Sequence, residues 1–408
     1  MALGCSIAPT YPALSVRPPC LRASVLNSVN SVPSGPNTHV LKVLHIGKFY
    51  PPVPGGIERV VQSLCHVTRG RLECSVLAFH TRASTVTEEV DGIPVTRVGT
   101  WGSAGSVAVS PAFPTHLARA RADVIILHEP NPWALLSFAA VRPRIPLAIW
   151  FHSEVVRPKL QYELFYAPLA RPAYRTARRF LVSSPKLAEH AAALQPYRDR
   201  VTVIPFGIDA DRWRPDEAVR RRAEEIRREA GRPVVLFAGR HVPYKGVQVL
   251  IRAAAPLHVD VVVLGDGPMR ETWMTLAAEQ QGRARFVFPG EVGDDQIRAY
   301  LVASRMLVLP SVTRAEAFGF VQLEAMACGV PVISTAVETG VPWVNQTGIV
   351  VPPQDEHALR EAIGRLADDG DRARAIGAAG EARVRSEFTL ASMGDRLVRV
   401  CEEIACAP

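Results

Sequence analysis

Pro233-Val234-Val235-Leu236-Phe237-Ala238-Gly239-Arg240-His241-Val242-Pro243-Tyr244-Lys245-Gly246 is the stretch from which the fold is read. The apolar run Val234 to Ala238, bounded by Pro233 and Gly239, describes a short strand buried on both faces, as in a parallel sheet. The glycines of the following loop let backbone approach a ligand, and Arg240 and Lys245 place two cations at the strand's carboxyl end. Arg offers a planar fork and Lys a compact point charge, a pair suited to a diphosphate. The loop is not of the Walker type, because GxxxxGK[ST] is absent.

Working outward, the strand opens a series continued at Val259–Leu264, Arg285–Phe288, Met306–Leu309 and Val330–Ile333. An earlier series begins with Leu41-Lys42-Val43-Leu44-His45-Ile46 and the breaker-rich Pro51-Pro52-Val53-Pro54-Gly55-Gly56. A helix follows, with apolar Ile57, Val60, Val61 and Leu64 at helical spacing, then strands at Cys74–Phe79, Val124–Leu127, Leu147–Phe151, Phe180–Val182 and Val201–Ile204. Strands alternating with helices imply parallel sheets covered on both faces. The fold class expected is α/β, with two doubly wound, Rossmann-like domains facing one another across a cleft, since such sheets bind ligands beyond the carboxyl ends of their strands. The boundaries read as a disordered leader over 1–38, a first domain over 39–205, a linker over 206–232, a second domain over 233–385 and a closing helix over 386–408 that crosses back. Orderly pattern begins near Val40, which fits a translation start there.

With 408 residues, 48% of them hydrophobic and 21% charged, the chain suits two domains and can bury sizeable cores without disulfide or metal staples. No apolar run reaches the ~18 residues of a membrane span. Its seven cysteines, an odd number, show no CxxC or zinc spacing, so buried or incidental thiols are expected. The net charge of +8 favours anionic partners, a membrane surface among them, without a nucleic-acid signature.

A second element is Glu316-Ala317-Phe318-Gly319-Phe320-Val321-Gln322-Leu323-Glu324-Ala325-Met326-Ala327-Cys328-Gly329. On an ideal helix two carboxylates at this spacing lie about 80° apart. With Glu316 ahead of the helix and Glu324 two turns inside it, both face one cleft, where carboxylates accept from vicinal sugar hydroxyls. The helix start near Gly319 presents free N–H groups and positive dipole to phosphate.

In order along the chain, the strand with GRxxxxKG, Gly265-Asp266-Gly267, Phe288-Pro289-Gly290-Glu291-Val292 and ExFGxxxxE–AMACGxPVI strongly resemble the retaining glycosyltransferases of family 4, of GT-B fold. The resemblance covers roughly residues 41–400 and extends to Gly55-Gly56, similar to the family's N-terminal glycine loop that meets the donor phosphates. It implies that Arg240 and Lys245 bind the departing diphosphate, that Glu316 stands against the donor sugar and that Glu324 holds the ribose. It further implies that Phe318 and Gly319 offer backbone groups, that Gly290 to Val292 lie along the nucleobase, and that His152, in Trp150-Phe151-His152-Ser153-Glu154, lies beside the transferred sugar. His128 and Glu129 end another strand in the same way.

The implied activity is transfer of a hexose from a nucleotide diphosphate sugar to a hydroxyl of a glycan or lipid-linked saccharide, with retained configuration, on the cytoplasmic side of the cell envelope. GDP-mannose comes first as donor, from His152-Ser153-Glu154 and the following Val155-Val156-Arg157-Pro158-Lys159, and UDP-hexoses next. Fixed cations and helix dipoles would stabilise the leaving diphosphate. Glu316 is not cast as a nucleophile, since the family supplies no agreed one for double inversion. No cofactor or metal is expected: Asp209-Ala210-Asp211 spells a metal signature of another fold, but reads here as a turn. Arg171, Arg175, Arg178 and Arg179 share one helical face, which a solvated surface or an anionic membrane would explain. The loop Glu338–Gly348 is a few residues shorter than its family counterpart. Other classes considered are a non-catalytic nucleotide-sugar binder, an epimerase, and a dinucleotide oxidoreductase, the last lacking its GxGxxG after the first strand.

Overall fold

The computed structural model describes residues 40–53, 55–104, 107–154 and 166–406. The leader over 1–38 and the segment Val155 to Lys159 lie outside the described residues.

Two sheets organise the chain. The first contains β1 (Leu41–Ile46), β2 (Leu72–Phe79), β3 (Val86–Val90) and β4 (Ile93–Val98). A separate small hairpin, β5 (Gly102–Ala104) and β6 (Val107–Val109), comes next in the chain. The first sheet is completed by β7 (Val124–Glu129), β8 (Leu147–Phe151), β9 (Arg179–Val182) and β10 (Val201–Val203), in the order β10-β9-β8-β7-β1-β2-β4-β3. All its pairs are parallel except β3 with β4. The second sheet is wholly parallel: β11 (Val234–Ala238), β12 (Asp260–Leu264), β13 (Arg285–Gly290), β14 (Met306–Leu309), β15 (Val332–Thr335) and β16 (Ile349–Val351), ordered β13-β12-β11-β14-β15-β16. β7, β8, β11 and β12 are buried at every position, which is why Val124–Leu127, β8, β11 and Val261–Leu264 read as unbroken apolar runs.

The α/β expectation holds, with three additions. The β3–β4 hairpin turns on Asp91 (φ 51°) and Gly92 (φ 75°), the left-handed pair that a tight hairpin needs. Its outer strand carries exposed Glu88 and Glu89, charges that suit a sheet edge. The β5–β6 hairpin and β16 are likewise absent from the periodic reading, being three residues per strand.

Topology places the site. In the first sheet the order reverses at β1, between β2 and β7; in the second it reverses at β11, between β12 and β14. Loops leaving the carboxyl ends of strands at such a reversal diverge and open a crevice. Those loops are the Gly47–Gly55 segment and His128-Glu129 in the first sheet, and Gly239–Gly246 and Pro310–Gly319 in the second. Between the sheets, the Phe206–Ile208 segment crosses Phe388 and Thr389, with Ile208 N–H donating to the Phe388 carbonyl at 2.9 Å. The charged Glu217–Ala230 helix follows, capped by Asp216. The last helix, Leu390–Cys406, packs on the Gly56–Val67 helix, where Arg71 Nη1 lies 2.5 Å from Asp395 Oδ1.

Candidate active site

At the second crevice a 3-10 turn, Pro243–Lys245, turns the lysine inward, and Gly246 follows it at φ 68°. A Cβ on Gly246 would stand 2.1 Å from the Pro310 carbonyl, so the β11 and β14 loops close on each other only through a glycine. Lys245 Nζ lies 2.6 Å from Glu316 Oε2, with their side chains 11% and 10% exposed. Ser311 donates to the same carboxylate oxygen at 3.1 Å, and Thr339 donates to the Glu316 carbonyl at 2.7 Å. Burial disfavours the Lys245 charge, but the adjacent Glu316 carboxylate outweighs it and holds the ammonium above its ordinary pKa. Arg240 stands exposed at the mouth of the same loop. The Glu338–Gly348 loop folds over Glu316: its short helix begins at Gly340, whose N–H donates to the Ala317 carbonyl at 2.9 Å.

Glu316 precedes the Phe320–Ala327 helix, as expected, but Glu324 is the fifth residue of that helix, a little over one turn inside. Gly319 starts the helix at φ 74°, and a Cβ there would meet Leu309 Cδ2 at 2.7 Å. In the first turn the Gln322 amide donates to the Gly319 carbonyl at 2.9 Å, and the Phe318 carbonyl accepts from Gln322 Nε2 at 2.9 Å, so the amides of Phe320 and Val321 are the ones the turn leaves for a ligand. Gly290 ends β13 at φ 88°, and Val292, half-buried, leads to the next helix.

Among the described residues two ion pairs join the two sheets' crevices, and neither was foreseen from sequence. Arg59 Nη1 lies 3.1 Å from Glu324 Oε1. Arg314 Nη1 lies 3.4 Å from Glu154 Oε2 and also pairs with Glu338. Burial raises the Glu324 pKa, with Arg59 pulling it back and Asp294 adding to the rise. Gly55 caps the Gly56–Val67 helix, and a Cβ on it would meet the Glu58 carboxylate at 1.9 Å, while Gly56 faces open space. Glu58 therefore folds back on the glycine loop; burial lifts its pKa, eased by backbone N–H groups and Lys48.

His152, buried at the end of β8, accepts or donates through Nε2 to His128 Nδ1 at 2.9 Å. Its ring stacks 5.6 Å from Phe206, which stacks on Phe320 and meets Phe318 edge-on. That aromatic chain carries His152 to the glutamate motif of the second sheet. Glu129, by contrast, is wholly buried between Tyr166 and Tyr174, whose hydroxyls donate to it at 3.3 and 2.5 Å; burial pushes its pKa up to about 7, the tyrosines opposing. It points to packing rather than to the cleft.

The shared basic face is corrected. The helix runs Ala167–Thr176 and ends at extended Ala177, so Arg178 and Arg179 lie beyond it, leading into β9. Arg178 donates to the Ile404 carbonyl at 2.7 Å, and Arg179 lies 3.6 Å from Glu403. Arg171 and Arg175 remain exposed on the helix, but the cluster sits at the amino end of β9, away from the crevice. Asp209 Oδ1 accepts from the Asp211 and Arg212 amides at 3.1 and 3.3 Å, a turn, while Asp211 pairs with Arg385 at 3.1 Å. Among the described residues no helix is long and apolar enough to cross a membrane.

Comparison with known proteins agrees with this geometry. Residues 232–369 match the family described as Glycosyl transferases group 1, and residues 55–207 match the Glycosyl transferase 4-like domain. O-antigen chain mannosyltransferase C of Escherichia coli is 30% identical over 372 residues, 88% of this chain and 98% of that protein. D-rhamnosyltransferase WbpZ of Pseudomonas aeruginosa is 32% identical over 358 residues, covering 86% and 92%. The Anabaena protein HepE, solved in complex with UDP and glucose, superposes with a TM-score of 0.70 at 20% identity, over 89% of this chain and 99% of that one.

Proposed function

Because the chain belongs to the group 1, family-4-like glycosyltransferases and carries their GT-B architecture, we propose that it moves mannose from GDP-mannose to a hydroxyl of a lipid-linked saccharide or glycan, with retention and without a metal. The observation that carries the reading is the Lys245–Glu316 pair at the β11/β14 crevice, with Glu324 one helix turn beyond the Gly319 amides. A diphosphate entering there meets Lys245, Arg240 and the helix N-terminus, cations and dipoles already in place for the charge that grows as the sugar departs. Glu316, released by the incoming phosphate from its pairing with Lys245 while keeping its bond from Ser311, lies where a sugar hydroxyl can donate to it. Glu324 accepts from the ribose once Arg59 gives way.

Mannose is favoured by the E. coli relative, whose match covers 88% of this chain. UDP-hexoses are the second reading, favoured by the UDP and glucose that HepE holds. The acceptor would reach the cleft from the cytoplasmic face of the membrane, with Arg171 and Arg175 as the exposed cations available to anionic lipid.

Ligand-induced thermal shift against GDP, UDP and ADP and their sugar conjugates tests this. At ~100-fold excess over Kd a ligand adds about 2.7 kcal/mol of stability. A response to GDP and GDP-mannose that Glu324→Ala abolishes supports the donor assignment. A response to UDP alone replaces the donor, and silence across the panel in folded protein points to a non-catalytic role.

A further inference from the structure

Three histidines run diagonally across one face of the first sheet. His45 on β1 is in register with Ile126, so His128 on β7 lies two residues further along; His128 is in register with Trp150, so His152 lies two further again. His45 Nδ1 stands 3.0 Å from His128 Nε2, and His128 Nδ1 stands 2.9 Å from His152 Nε2. All three are buried, with consecutive rings 5.3 and 5.2 Å apart. Burial holds His128 well below its ordinary pKa and His152 at about 3, so these two rings are neutral.

A neutral imidazole has one N–H and one lone pair. Because each link joins Nδ1 of one ring to Nε2 of the next, only two arrangements satisfy both links: every ring protonated at Nδ1, or every ring at Nε2. Any mixture sets two N–H groups or two lone pairs face to face in a buried site. The ends of the chain are therefore tied. At one end, Nδ1 of His152 is the ring nitrogen left for a ligand. At the other, His45 Nε2 is buried without a hydrogen-bond partner, and His45 shares a pocket with Cys65 and Cys74 in which one ligand atom from each lies within 4.8 Å of the others.

The sulfur end decides between the two arrangements. Thr68 Oγ1 gives its own proton to the Leu64 carbonyl at 2.8 Å, so in its 3.5 Å contact with Cys74 Sγ the thiol is the donor. With its proton spent on Thr68, Cys74 presents only sulfur lone pairs to His45, in the pocket where their ligand atoms lie within 4.8 Å. An acceptor facing His45 calls for N–H at Nε2.

We propose that His45 and His128, anchored on the Cys74 sulfur, are positioning residues that hold His152 in the Nε2–H form, so that its Nδ1 lone pair faces the cleft and accepts from the incoming acceptor hydroxyl. This rests on the glycosyltransferase reading for its last clause only. The hydroxyl is thereby oriented with an oxygen lone pair toward the sugar, while a donor at Nδ1 would turn that lone pair away.

Long-range proton–nitrogen correlation on protein labelled with 15N-histidine reads the tautomers directly, without substrate. Protonation at Nε2 is expected for His45, His128 and His152. In Cys74→Val, which removes the acceptor, the three rings are expected to shift together to Nδ1–H, and kcat to fall ~10-fold with donor KM within ~2-fold. Cys74→Ser keeps an acceptor and is expected to retain Nε2–H and recover most of kcat. Nδ1–H on His152 in the unaltered protein overturns the proposal, as does a Cys74→Val protein with unchanged tautomers. An equivalent of zinc or copper in elemental analysis overturns it too, since His45, Cys65 and Cys74 would then be metal ligands. Nε2–H throughout, in a protein that transfers no sugar, refutes the functional reading and leaves the histidine chain standing.

Discussion

Arg59→Ala separates stability from ligand binding at Glu324. The Arg59 side chain is 63% exposed and that of Glu324 only 11%, so the pair lies between two regimes. Breaking a buried pair costs about 3–5 kcal/mol and an exposed one about 0–1, which puts this pair at about 1.5 kcal/mol. The cost depends on pH. Burial raises the Glu324 pKa while Arg59 lowers it, so the variant carries a carboxyl raised further. A raised carboxyl contributes stability that is fully present below the ordinary carboxylate range and lost as pH rises through the folded-state value. Urea denaturation should therefore show the variant less stable by about 1.5 kcal/mol at pH 8 and close to wild type at pH 4.5. Nucleotide binding should move the other way. If the ribose must displace Arg59, removing the arginine spares about 1 kcal/mol, roughly a 5-fold tighter Kd for the nucleoside diphosphate by calorimetry. Weaker nucleotide binding in the variant, or a stability loss equal at both pH values, would refute the reasoning and make Arg59 a phosphate ligand instead.

Lys245→Ala should cost about 3 kcal/mol by leaving the Glu316 carboxylate without its cation, and the Lys245→Ala/Glu316→Ala double variant should lose less than the sum of the single ones; additive losses by denaturation would deny the coupling. The same Lys245→Ala protein should lose about 10²–10³-fold in kcat/KM for the donor, read by nucleotide release. Gly246→Ala forces a left-handed residue against the Pro310 carbonyl and should destabilise by at least about 2 kcal/mol; an unchanged melting temperature would mean that the two loops are not in contact. Glu129, with its pKa raised to about 7, favours the fold below the ordinary carboxylate range and loses that contribution as pH rises through about 7. Wild type should thus fall by about 2 kcal/mol between pH 5 and 8, and Glu129→Gln should flatten the profile.

The parallel strands were legible because both of their faces are buried, so Val234–Ala238 and Val124–Leu127 are apolar throughout. The hairpin at β3–β4 was not, although Asp91-Gly92 announces it: β3 is an exposed edge strand, so its side chains carry no apolar alternation. Glu316, Glu324 and Lys245 could be picked out because glycines and charges cluster beyond a strand end, where a core has no use for them. Their partners could not. Arg59 lies 265 residues from Glu324, and one exposed arginine on a helix looks like any other. The basic face failed for a local reason: spacing of i, i+4, i+7 and i+8 presumes a helix that continues, and Arg178-Arg179-Phe180 starts a strand instead. The histidine diagonal depends on strand register, which no one-dimensional pattern contains.

The most direct measurement incubates the protein with GDP-mannose carrying labelled mannose and a lipid-linked saccharide fraction, and follows the label into the organic extract. Label in the extract with wild type, and on the nucleotide alone with Lys245→Ala, is the expected result. Label that stays on the nucleotide with wild-type protein that is folded and binds GDP, for UDP- and ADP-hexoses as well, would contradict the transferase assignment.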